Sequence, residues 1–122
     1  MNNQYSATEQ PDPIGNDKVA IWEEVIKDFD ASFNDTDVKT ALLKDMTDRD
    51  AWGRSKYGVP LQPFNGRDAL VDLYQEFLDA IVYTKQYEIE NPNDPSLTSV
   101  YLMLKLLVYT VREKLLAREV AN

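Results

Sequence analysis

Residues 100–109 read VYLMLKLLVY, apolar on nearly every side of a helix. This stretch constrains the fold more than any other, because a helix facing water carries a single apolar stripe. Such a segment is either central in its fold or shared with another subunit. It also sets the fold class: the apolar residues of the whole chain recur at spacings of three and four, not two, so helices are expected and strands are not.

Four helices follow from the pattern. The first starts at Asp17, with Asn16 or Asp17 as its cap, and carries Val19, Ile21, Trp22, Val25, Ile26, Phe29 and Phe33. Asn34, Asp35 and Thr36 interrupt it. The second begins near Asp37, carries Val38, Ala41, Leu42, Met46 and Trp52 on one side, and ends around Gly53 or at Tyr57-Gly58. Residues 58–66 hold two Pro and two Gly and read as an ordered loop, with Leu61 and Phe64 expected to pin it to the core. The third spans about 67–90 without Gly or Pro. Residues 91–95, NPNDP, stop it. The fourth is capped by Ser96 and runs to about 119. Short connections between four helices predict an all-α, four-helix bundle-like architecture over residues 17–122. Residues 1–16 are polar, with two Pro and no periodicity, and read as a flexible arm.

Composition narrows the chemistry. The 122 residues include no Cys and no His. This removes thiol nucleophiles, the Ser-His-Asp triad and imidazole-bound metals. Catalysis by such a chain runs on carboxylates, Lys, Tyr or a hard cation held by oxygen. The formal charge is −8, from 13 Lys and Arg against 21 Asp and Glu. General nucleic-acid binding is therefore not expected. No apolar run reaches the ~18 residues of a membrane span. The start lacks a charged-then-apolar leader, so a cytoplasmic location is expected, the host cytoplasm if a phage encodes the chain.

Three groups of residues are candidates for function. Asp72, Glu76 and Asp79 fall at i, i+4 and i+7 and share one stripe of the third helix. The stripe continues into Tyr83 and Tyr87, with Ala69 and Ala80 beside it, which suggests a face covered by a helix, a subunit or a ligand. Clustered carboxylates suit Mg²⁺ or Mn²⁺; an acidic solvated face is the bland alternative. Asp45 and Asp48 on the second helix are further candidate ligands; Asp45 falls within the apolar arc, and an Asp45–Arg49 ion pair is the bland explanation for it. The third group is Arg54, Lys56, Tyr57, Asn65 and Arg67 around the loop. Its cations suit phosphates, and Tyr57 or Phe64 suits a base. A turn held by Asn65 and packed aromatics is the alternative reading.

The run Arg49-Asp50, Gly53, Lys56-Tyr57-Gly58, Leu61, Asn65-Gly66-Arg67-Asp68-Ala69-Leu70, Asp72, Tyr74-Gln75-Glu76, Leu78-Asp79 and Val82-Tyr83 resembles MazG-like proteins of phages and prophages. These are similar to the all-α nucleoside triphosphate pyrophosphohydrolases. The resemblance covers about residues 45–90, and Glu76-x-x-Asp79 is similar to the superfamily's second metal helix. It implies Mg²⁺-dependent cleavage of nucleoside or deoxynucleoside triphosphates to the monophosphate and pyrophosphate, in a dimer or tetramer. Glu76, Asp79 and Asp72 would then be metal ligands, with Asp72 as the alternative water orienter. Arg54, Lys56 or Arg67 would hold phosphates. Where the superfamily's first metal helix carries Glu-x-x-Glu, this chain offers Asp45-x-x-Asp48. That departure favours a second expectation, a nucleotide-binding or sequestering protein without turnover. A third is a small acidic phage protein that binds a host protein.

Overall fold

The computed structural model describes residues 5–121; the first four residues of the expected arm, and Asn122, lie outside the described residues. The chain is all-α, with α1 at Ile21–Ser32, α2 at Asp37–Tyr57, α3 at Ala69–Glu90 and α4 at Thr98–Ala121. No strand occurs among the described residues. The chain divides into two compact units, one from Pro11–Arg67 and one from Met1–Gln10 with Asp68–Asn122. In the first, α1 packs on α2; in the second, α3 packs on α4.

The α1–α2 unit is organised by polar side chains as much as by apolar ones. Thr36 caps α2 by accepting from the Lys39 amide at 3.1 Å. The Lys39 ammonium is buried and turns back onto the end of α1. It donates to the carbonyls of Asp30 at 2.7 Å and Phe33 at 2.9 Å, and to the Asp35 carboxylate at 2.9 Å. A cation at a helix C-terminus satisfies orphan carbonyls and faces the negative end of the dipole. Gly58 ends α2 with φ 75°, a left-handed C-cap, and donates to the Arg54 carbonyl at 2.8 Å.

Leu61 and Phe64 do not pin the loop; both are exposed, Phe64 to 88%. The pins are polar. Gln62 is buried, donates to the carbonyls of Asn16 and Lys18 at 2.8 Å each, and accepts from the Asn16 amide at 3.1 Å. The Asn16 side chain donates to the carbonyls of Pro63 and Phe64. Ile14 donates to the Asn65 carbonyl and Ile21 to the Leu61 carbonyl. This also moves the start of α1 from Asp17 to Ile21. Asn16 is committed to the loop and caps no helix, and the N-cap position, Ala20, has no capping side chain.

In the α3–α4 unit the core is Val71, Val111 and Leu115, with Tyr5, Leu70, Tyr74 and Phe77 packed against it. Asp68 caps α3 by accepting from the amides of Leu70 and Val71 and pairs with Arg118 at 2.9 Å. Ser96 is not the cap of α4, which starts two residues later; its amide instead donates to the Asp94 carboxylate. Residues 5–10, expected as part of a flexible arm, lie on this unit. Gln75 donates to the carbonyls of Tyr5 at 2.7 Å and Thr8 at 2.8 Å.

Candidate functional site

The acidic stripe forms as the spacing requires. Asp72, Glu76, Asp79 and Tyr83 all stand on α3; Asp72 is half-buried, and Glu76, Asp79 and Tyr83 are exposed. Asp45 and Asp48 are exposed on α2. The apolar arc that carries Asp45 is not buried: Val38, Leu42 and Trp52 on it are exposed. Asp48 pairs with Lys44, and Arg49, expected beside Asp45, lies over the Trp52 ring. Among the described residues no group of three or more Asp and Glu side chains comes together as a metal site. A divalent ion needs several oxygens converging within ~2.0–2.6 Å. The carboxylates of the described residues, as they stand, do not fit a resident Mg²⁺ or Mn²⁺.

The basic residues around the loop divide by role. Arg54 is a structural ion pair, bonded to Asp50 at 2.9 Å and reaching Glu23 at 3.4 Å. Asn65 is buried and shapes its own turn, accepting from the Arg67 amide at 3.1 Å. The Arg67 guanidinium donates to the Pro11 carbonyl at 2.8 Å. These three build the loop. Only Lys56 and Tyr57 of the predicted group remain at an exposed aromatic and cationic surface.

That surface also contains Trp52, and Arg49, which the sequence pairs with Asp45 instead. The Arg49 guanidinium lies 4.2 Å from the centroid of Trp52, and the Lys56 ammonium lies 5.0 Å from the same ring and 5.1 Å from the Tyr57 ring. Arg49, Trp52 and Lys56 fall at i, i+3 and i+7, so helical geometry places them on one face of α2. Trp52 is 50% exposed, and Arg49, Lys56 and Tyr57 are exposed as well. Each cation sits within the ~6 Å reach of a ring quadrupole. The 3-and-4 spacing of these residues was visible in the sequence, but Trp52 read as part of an apolar side.

Phe64 is the other conspicuous aromatic of this unit. Its φ is 56°, left-handed for a residue with a Cβ. The bonds of Asn16, Gln62 and Ile14 around it hold that backbone in place.

The titratable groups with displaced pKa values are structural. The Lys39 hydrogen bond holds the Asp35 carboxyl below its usual range. Burial pushes the Asp68 carboxyl up, but the Arg118 pair and the amides of Val71 and Leu70 outweigh it, leaving a net depression. The Tyr87 hydroxyl donates to Asp94, which lowers the Asp94 carboxyl and raises the Tyr87 phenol. No helix among the described residues is long and apolar enough to cross a membrane.

In comparisons with known proteins, the chain matches no family model, no curated protein and no solved structure.

Proposed function

We propose that the chain is a MazG-like nucleotide-handling protein that binds a nucleoside triphosphate at the C-terminal half of α2. The observation that carries this reading is Trp52 flanked by Arg49 and Lys56, with Lys56 shared by Tyr57. The half-exposed indole stacks on a base when a cation now lying over it turns to the phosphates, a contact worth ~1–3 kcal/mol. Two cations beside it offer phosphate contacts in a chain whose net charge is −8. A long polyanion meets that net charge along its length, whereas a compact nucleotide meets only the local patch. The resemblance adds the expected chemistry, pyrophosphohydrolysis to the monophosphate with Mg²⁺ or Mn²⁺ accompanying the phosphates. The carboxylate geometry favours nucleotide binding without turnover, because no three Asp or Glu side chains converge among the described residues.

The test is a panel of ribo- and deoxyribonucleoside triphosphates, titrated with and without Mg²⁺, followed by analysis of products. Saturable binding with intact nucleotide supports the sequestering form. Release of monophosphate and pyrophosphate supports the enzyme, and Glu76→Gln then lowers the rate well over tenfold if Glu76 is a metal ligand. An absence of binding at millimolar nucleotide removes both forms and leaves the host-protein reading.

A further inference from the structure

α4 carries two seams. The inner one includes Leu104, Val111 and Leu115 and faces the core. The outer one runs Leu102, Leu106, Tyr109, Glu113, Leu116 and Val120, in alternating steps of four and three. That is a heptad repeat. Its apolar members are exposed: Leu102 54%, Leu106 71%, Tyr109 69%, Leu116 51% and Val120 79%. A shallow groove along its C-terminal half is lined by Glu113, Leu116, Ala117, Val120 and Ala121. The two seams together explain why residues 100–109 are apolar all round.

We infer that the outer seam is an antiparallel, two-fold contact with α4 of a second copy of this chain. In a two-fold contact, residue i meets j and j meets i. With the axis crossing the outer seam at the height of Val111, Leu102 meets the partner's Val120, Leu106 meets the partner's Leu116, and Tyr109 meets the partner's Glu113. All six positions are used. The Tyr109 hydroxyl then donates to a carboxylate that would otherwise be sealed unpaired in an apolar seam. A parallel pairing sets Glu113 against its own copy, and like charge disfavours it. Small Ala117 and Ala121 leave room in the groove for the partner's Leu102 and Leu106. The chain carries −8, but α4 holds Lys105, Arg112, Lys114 and Arg118 against Glu113 and Glu119, so the seam escapes the acidity that repels two copies elsewhere. Covering Leu102, Leu106, Tyr109, Leu116 and Val120 removes roughly 600 Å² per copy, about 1,200 Å² in all, at the lower end of stable specific interfaces.

The test uses the full chain. Light scattering at micromolar concentration gives a dimer, and Leu106→Lys gives a monomer that keeps its helical circular dichroism. The chain has no Cys, so register is read by introduced thiols. The Leu106→Cys, Leu116→Cys double variant cross-links to a covalent dimer under mild oxidation. Leu106→Cys alone does not, because its two copies lie ~15 Å apart along the helix pair, beyond the ~7 Å that a disulfide spans between Cα atoms. A monomeric wild-type chain, or a dimer untouched by Leu106→Lys, overturns the interface. Cross-linking by the single variant overturns the antiparallel register. If Leu106→Lys fails to fold, the thiol variants decide alone.

Discussion

Gln10 and Asp68 bond each other twice: the Gln10 amide donates to the Asp68 carbonyl at 2.7 Å, and the Asp68 amide donates to the Gln10 side-chain oxygen at 2.8 Å. A side chain 58 positions away thus satisfies the backbone of the residue that caps α3. Gln10→Ala removes both bonds and leaves the Asp68 carbonyl and amide without this partner. At ~1 kcal/mol per bond, the loss is about 1–2 kcal/mol by urea denaturation, with faster amide exchange at Asp68. An unchanged midpoint contradicts the role given to Gln10.

Leu115 has no solvent exposure and touches the heart of the α3–α4 core. Leu115→Ala is expected to destabilise by about 2–5 kcal/mol, the cost of lost burial plus the cavity left behind. The comparison is Leu106→Ala on the outer seam of the same helix. At a protein concentration where chains are monomeric, the loss there stays under about 1 kcal/mol. Equal losses at the two positions contradict the division of α4 into an inner and an outer seam.

Asp68 links stability to acid. Its folded carboxyl lies below the unfolded value, net of the burial that opposes Arg118 and the capped amides. A depressed folded pKa contributes stability that is present above the unfolded value, ~3.9, and is lost as pH falls through the folded one. Melting temperature is therefore expected to hold from neutral pH to about 5 and to fall steadily below about 4. Asp68→Asn starts lower and loses less of its stability across that acid range. Asp35 and Asp94 are depressed in the same direction, so the variant keeps part of the slope.

Much of this architecture is legible in the sequence. The helical periodicity gave four helices and the limits of the third to within two residues. The rest was hidden for a physical reason: polar side chains that bond backbone leave no periodic trace. Gln62, Gln75 and Lys39 add nothing to the apolar pattern, yet each satisfies carbonyls that such patterning does not register. The same blindness sent Asn16 to a helix cap when it holds a loop. At the candidate site, spacing put Asp72, Glu76 and Asp79 on one face, but spacing along a helix carries no information on convergence in space. Arg54 and Asn65 were legible as a loop cluster, and their partners Asp50 and the Arg67 amide lie close in sequence. Trp52 was missed as a ligand face because an indole reads as core until its exposure is known.

Trp52 and Trp22 are the two indoles of the chain. In a Trp22→Phe background, indole fluorescence reports on Trp52 alone. Titration with a nucleoside triphosphate is predicted to quench it saturably. Lys56→Glu, at an exposed position, is predicted to weaken that binding at least tenfold with helicity unchanged, about 1.4 kcal/mol or more. A fluorescence that stays flat through millimolar nucleotide, or a Lys56→Glu chain that binds as tightly as its parent, contradicts the account.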